Sequence, residues 1–292
     1  MGKKAERINV LSPLSLRELG AWLKEYPAAV FMAGGSDLIQ KYNEHPHAGI
    51  PDTVISLSQI DELGRIKRKE QGIEIGACVP MSRILSTGQN IVPRILLDAI
   101  ARIATPSVRN LATIGGNICM VSPFSDVLVP LVLLEAKLEI RGPASHFWMP
   151  LTRFLRTPGR MPLLSSEILA SVAIPVIQPD VQVYRKLEVI SIPTLSVLTF
   201  AAMARIFRNT VTDFRIVYGG LDPLFMRNRE LESSVTGRKI PLSLKFREQY
   251  EQKTREFIQE CDPGFLPDRY HRNSAIRLTR LFLEKVSTYR TD

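Results

Sequence analysis

Two glycine pairs are the residues of this chain best placed to do chemistry. Gly34 and Gly35 lie in Ala33-Gly34-Gly35-Ser36-Asp37-Leu38, directly after the apolar run 28–32. Gly115 and Gly116 lie in Thr113-Ile114-Gly115-Gly116-Asn117, after Arg109-Asn110-Leu111-Ala112. Each pair sets two residues without a Cβ side by side, flanked by hydroxyl and carboxylate or amide side chains. Such a loop can take positive φ and bring backbone N–H groups against a ligand. Either pair alone also reads as a plain tight turn, because glycine is the default turn residue. Two of them, each with Ser or Thr beside the glycines, suggest one extended anion such as a pyrophosphate, held from both sides.

The spacing excludes the commoner phosphate loops. There is no G-x-G-x-x-G after a strand with an acidic residue about twenty positions on, and no G-x-x-x-x-G-K-[ST]. Hydrolase apparatus is missing too: no G-x-S-x-G, no H-E-x-x-H, and no cysteine with an evident histidine partner. Asp37 and Asp126 are a conceivable carboxylate pair, but nothing in the sequence places them together. Cys78, Cys119 and Cys261 are far apart and form no C-x-x-C, so no metal or iron–sulfur cluster is expected within the chain. Cys119 follows the second glycine pair and reads as a small buried hydrophobe. His45, His47, His146 and His271 have no helical metal-ligand spacing, and His45 and His47 read as solvated.

These residues must be positioned by ordinary globular elements. The 292 residues suit two domains, and 45% hydrophobic with 23% charged content is average for a folded chain. The longest apolar run, 127–134, contains Pro130 and falls well short of the ~20 residues of a membrane span. Met1-Gly2-Lys3-Lys4 is followed by Ala5, Glu6 and Arg7 rather than an apolar core, so a cytoplasmic protein is expected. A net charge of +9 raises the question of nucleic acid. The basic residues are spread out, however, and only Arg65, Lys67, Arg68 and Lys69 cluster, in what reads as a turn between strands. With no aromatic interleaving, no nucleic-acid partner is expected; the charge suits an anionic ligand or an acidic partner subunit.

Ser15 and Glu18 spell a capping box for an opening helix, with Leu16, Leu19 and Leu23 on one face and Trp22 beside them. Residues 28–32 read as a strand delivering the first glycine pair, and 53–57 and 72–77 as further strands. Pro93 opens an amphipathic helix that stops near Thr105-Pro106, after which the second glycine loop follows. A linker at 175–179 introduces a second region. Its strands fall near 183–186, 195–206 and 213–218, the last two joined by a hairpin at Arg208-Asn209-Thr210. Helices around 244–260 and 273–286 close it. The fold class is α+β, the second domain a three-stranded antiparallel sheet covered by helices.

Several segments resemble a known family. AGGSDL (33–38), RNLATIGGNI (109–118), SPFSD (122–126) and the proline–glycine to isoleucine–proline stretch at 157–175 are similar to the FAD-binding subunit of the xanthine dehydrogenase and carbon monoxide dehydrogenase family of molybdenum hydroxylases. YRKL (184–187), FRIVYGG (214–220) and the arginine-containing segment 269–280 resemble its C-terminal domain. The resemblance implies a PCMH-type FAD-binding domain at 1–178 and a small flavoprotein C-terminal domain at 179–292. FAD would lie between the glycine loops. Ala33, Gly34, Gly35, Ser36, Asp37 and Leu38 would wrap the pyrophosphate, and Thr113, Gly115, Gly116 and Asn117 would complete the cradle. Ile118 would pack near the flavin, and Ser125 and Asp126 would hold polar parts of the nucleotide.

Lys186 matches a family lysine near the isoalloxazine, where its charge would favour reduced flavin; the alternative is a strand-end surface lysine. No protein residue is expected to be catalytic, because the flavin does the chemistry. The implied partners are a molybdopterin-binding large subunit and a 2Fe–2S small subunit, which the missing cluster ligands also require. NAD or another acceptor would take the electrons. Two departures bear on that acceptor: Val189-Ile190-Ser191 replaces an arginine pair, and 221–226 alters a threonine–proline turn. The competing readings are a non-catalytic assembly subunit with weak or lost FAD binding, and a free-standing flavin oxidoreductase.

Overall fold

The computed structural model describes residues 8–44, 51–122, 125–143, 145–156, 161–189, 192–223, 225–260 and 269–290. Expectations resting on His45, His47, Cys261, Ile190, Ser191 or Leu224 lie outside them. The chain divides into two compact units. One comprises Met1–Ile91, Ala104–Met120 and Ala136–Pro175; the other comprises Val92–Ile103, Val121–Glu135 and Val176–Asp292.

In the first unit, β1 (Asn9–Leu11) leads to α1 (Leu16–Glu25). The Ser15 hydroxyl accepts from the Glu18 N–H at 3.2 Å, and the Glu18 carboxylate accepts from the Leu14 N–H at 2.8 Å. The first satisfies one of the donors that the helix leaves unpaired, as the Ser15/Glu18 pattern implied, while the second reaches one residue before the cap, to Leu14 rather than Ser15. Leu19 and Leu23 enter a core with Ile55, Leu57, Ile60 and Leu63. β2 (Val30–Met32), α2 (Ser36–Glu44) and β3 (Thr53–Ser56) complete a parallel three-stranded sheet in the order β1-β3-β2.

The second sheet of this unit is antiparallel, in the order β4-β5-β8-β6-β7. Its strands are β4 (Ile66–Lys69), β5 (Gly72–Gly76), β6 (Lys137–Arg141), β7 (His146–Pro150) and β8 (Ile168–Pro175). Here the sequence reading needs correcting. Lys67, Arg68 and Lys69 are not a turn but most of β4, and Lys67 and Lys69 reach Glu74 on β5 at 3.8 and 3.4 Å. Cross-strand charge pairing lets a polar segment serve as an edge strand.

The remaining helices of the middle of the chain are α3 (Met81–Thr87), α4 (Arg94–Ile100), α5 (Pro106–Leu111), α6 (Ile114–Cys119), α7 (Leu128–Leu133) and α8 (Leu151–Phe154). Two of them revise expectations. Pro106 does not end a helix but begins α5, with Thr105 as its cap at 3.4 Å from the Val108 N–H. Proline at the first helical position loses only an N–H that has no partner there. The second glycine pair is not a loop: Gly115 and Gly116 lie inside α6.

The second unit holds α4 and α7 together with an antiparallel sheet of β9 (Val181–Val189), β10 (Ile192–Phe207) and β11 (Thr210–Gly219), in the order β11-β10-β9. Arg208 and Asn209 have φ of 50° and 57°, the paired left-handed geometry a tight hairpin requires. Helices α9 (Arg229–Val235), α10 (Leu244–Gln259) and α11 (Arg269–Ser287) follow. Phe200, Phe214, Tyr218, Tyr250 and Phe282 make the aromatic centre of its core. The α+β class and the three-stranded antiparallel sheet are as expected.

Candidate cofactor site

The first glycine pair sits where β2 ends. A Cβ on Gly34 would stand 1.7 Å from the carbonyl oxygen of Leu111, the last residue of α5. Only glycine permits that approach. It brings the first pair against the segment that leads directly into the second, so the two pairs are neighbours within one unit. Gly35 has φ +72° and turns the chain into α2, with Ser36 and Asp37 in its first turn. The opening N–H groups of a helix have no acceptor within it and carry its positive end. Asp37 is held by Lys41 at 2.7 Å, one turn on. Residues 33–38 are all half-buried.

The second pair is organised differently. The Thr113 hydroxyl caps α6 by accepting from the Gly116 N–H at 3.1 Å, and the Thr113 carbonyl accepts from the Asn117 N–H at 3.0 Å. The Ile114 N–H goes to Val79 and the Gly115 N–H to Ala77, at 3.2 and 2.9 Å. A Cβ on Gly115 would lie 2.5 Å from that of Ala77, so this glycine is required by packing. Gly116 faces outward, and a Cβ there would meet only the Thr113 hydroxyl at 3.1 Å. Asn117 is half-buried and Ile118 fully buried. Gly116 and Asn117 therefore make the accessible face of this pair, with Thr113 buried beneath them as the cap.

In the second unit, Lys186 is buried, its side chain 2% exposed. Its ammonium lies 2.9 Å from Asp126, 2.9 Å from Glu188 and 3.1 Å from the Arg102 carbonyl oxygen, to which it donates. The surface-lysine alternative fails on this burial. Tyr184 donates to Asp126 at 3.4 Å. Burial, reinforced by the Asp126 charge, pushes its phenol well above the usual range, so the proton stays on as a donor. Ser125 is buried beside Asp126 in sequence. A cleft of about 360 Å³ is lined by Asp98, Ala101, Arg102, Tyr184 and Arg185. Tyr184 and Glu188 could have been found from the sequence, since alternate positions of a strand share a face with Lys186. No signal announces the Arg102 carbonyl.

Asp37 and Asp126 each have a lysine of their own, so neither needs the other. Cys78 is buried but Cys119 is half-buried rather than the buried hydrophobe expected; desolvation of their sulfurs pushes both thiols up to about 12. Among the described residues no group of three or more His, Cys, Asp or Glu could hold a metal ion, and no helix is long and apolar enough to cross a membrane.

Residues 6–177 match the family described as the FAD binding domain in molybdopterin dehydrogenase. The chain belongs to that family. This FAD-binding protein is 29% identical over 228 residues to the xanthine dehydrogenase FAD-binding subunit of Escherichia coli, covering 76% of each chain. It is 27% identical over 211 residues to the glyceraldehyde dehydrogenase medium chain of Sulfolobus acidocaldarius, covering 72% of this chain and 74% of the other. Its fold matches carbon monoxide dehydrogenase from Hydrogenophaga pseudoflava with a TM-score of 0.84 at 22% identity, over 96% of this chain and 97% of that one. FAD is its cofactor, and it is an FAD-dependent oxidoreductase subunit of xanthine dehydrogenase type.

Proposed function

We propose that this protein is the electron-transfer subunit of a molybdenum hydroxylase complex, taking electrons from iron–sulfur clusters on a partner and delivering them to an acceptor. The observation that supports this is the contact of Gly34 with Leu111, which puts the first glycine pair against the segment that leads into the second. The residues fit a pyrophosphate. The opening N–H groups of α2 and the Ser36 hydroxyl are donors at a positive helix end. Gly35 supplies the left-handed turn, and Ala33, Asp37 and Leu38 complete the wrap. Gly116 and Asn117 would offer an opposing face that a Cβ at Gly116 would encroach upon, while buried Thr113, Gly115 and Ile118 hold that face in place.

Ser125 and Asp126 would serve the nucleotide's polar parts. Lys186, fixed by Asp126 and Glu188, would supply a positive charge to the flavin from a position that cannot swing away. When bound, FAD supplies the two-electron chemistry for which the protein has no residues. The division at 178 would separate the FAD-binding domain from the C-terminal domain. The partners would be a molybdopterin subunit and a 2Fe–2S subunit, and the cellular site the cytoplasm. The loss of the arginine pair at 189–191 favours an acceptor other than NAD.

The test is the assembled complex reduced by its substrate under argon, followed in the flavin bands. Bleaching at the rate of substrate turnover supports the relay, and slow reoxidation by NAD against fast reoxidation by a dye or quinone supports the acceptor reading. Flavin that stays oxidised while the molybdenum subunit turns over would refute the relay. One observation favours the assembly-subunit reading instead: the Gly115 and Gly116 N–H groups are already spent on Ala77 and Thr113. That reading predicts no FAD uptake.

A further inference from the structure

The five-stranded sheet has two edges that are built in opposite ways. At one, β4 carries exposed Lys67, Arg68 and Lys69, the charged residues that deter another strand from pairing. At the other, β7 carries Phe147 and Trp148, each 42% exposed. Register sets Phe147 opposite Ile140 and Trp148 opposite Glu139, so the two rings project on opposite faces of the same edge. Its one proline, Pro150, is the last residue and leaves 146–149 open. Among the described residues no strand lies outside β7.

Along the chain, the residues flanking this edge are basic, although buried Glu167 also borders the hairpin at Gly142. Between residues 137 and 156 stand Lys137, Arg141, Arg153 and Arg156, against a single carboxylate, Glu139. Glu139 is buried and already engaged by Ser171 at 2.7 Å, Arg141 at 2.7 Å and His146 at 2.8 Å. A second copy would bring the same cations face to face.

We propose that β7 is an assembly edge that takes an extended segment of a partner subunit as a sixth strand, apolar where it covers Phe147 and Trp148 and acidic at its flanks. Main-chain hydrogen bonds to β7 would give the register, the two aromatic rings the affinity, and the arginines the choice of an acidic partner. The proposal rests on the reading of this chain as one subunit of a complex.

The experiment compares wild type with the double variant Phe147→Glu/Trp148→Glu. Each is mixed with the separately purified molybdopterin and iron–sulfur subunits of its complex, and affinity, FAD content and thermal midpoint are measured. Both rings are partly exposed, so the variant is expected to keep its midpoint and FAD but bind its partners at least 100-fold more weakly. Phe207→Glu, on another exposed ring, is expected to change nothing. If the double variant melts early, Arg153→Glu/Arg156→Glu replaces it, with at least a tenfold loss expected. Amide exchange at 146–149 should slow on assembly in the wild type, as strand addition requires. Unchanged affinity or unchanged exchange overturns the proposal. So does a wild-type chain that dimerises alone through these residues. FAD-loaded chain that takes up no partner overturns the edge but leaves FAD binding standing; FAD-free chain that assembles through β7 does the reverse.

Discussion

Gly34 and Leu111 are locked together: the missing side chain of the first leaves the space that the carbonyl oxygen of the second occupies. A glycine so placed serves the fold before it serves any ligand. Gly34→Ala would need a backbone shift, so it is expected to cost about 1–3 kcal/mol of stability and to lower FAD affinity with it. Gly116→Ala separates the two roles. It lies in a helix and faces outward, and the alanine preference of about 0.5–1 kcal/mol is set against crowding of the Thr113 hydroxyl that caps α6, so stability should change by less than about 1 kcal/mol while FAD affinity falls. Thermal melts alongside FAD titrations check both. Unchanged FAD affinity in Gly116→Ala would remove the second glycine pair from the cofactor site.

Lys186 is expected to be intolerant of single substitution. Lys186→Met strands the buried Asp126 carboxylate without its cation and should destabilise the protein by about 3–5 kcal/mol. Lys186→Met/Asp126→Leu should recover much of that loss. Denaturant titration of both variants checks this, and a double variant no better than the single would mean the pair is not a coupled unit.

How much of this could be read beforehand depended on whether local chemistry or distant packing decides. Ser15 with Glu18 dictates a helix start by its own hydrogen bonds, and Arg208-Asn209 tolerates the two left-handed residues of a hairpin; both were legible. Pro106 and the second glycine pair were not. Proline both ends and opens helices, and Gly115 is held in α6 by Ala77, far away in sequence. Nor does any local pattern say that β8 will lie between β5 and β6, or that Lys186 will be buried on Asp126. The apolar faces of α4 and α7 announce burial without saying in which core. For the candidate site, the residue types were visible, but the division between glycines that pack and the one that faces outward was not.

Glu139 should make stability depend on pH. Burial raises its pKa, but hydrogen bonds from Ser171, Arg141 and His146 and the Arg141 charge outweigh this and hold the carboxyl below the usual range. A depressed folded pKa stabilises the fold above the unfolded value and loses that contribution as pH falls through the folded one. Glu139→Gln should therefore cost about 2 kcal/mol near neutrality. The gap from wild type should close only in acid, below the ordinary carboxylate range. Denaturant melts from pH 7 down to pH 3 check the trend; a gap that widens in acid would contradict it.

The thiols of Cys78 and Cys119, pushed up to about 12 by burial, should be silent at neutral pH. In a Cys261→Ser background, a disulfide reagent should find no fast thiol in the native protein and two after denaturation. A fast native thiol would mean that one of them is open to solvent.

The central claim is that this chain holds FAD. The direct measurement is the visible spectrum of the purified protein, before and after heat release, with the released compound identified and counted. Flavin bands and one FAD per chain are predicted. A colourless protein that takes up no added FAD would contradict the account and leave the glycine pairs as elements of packing alone.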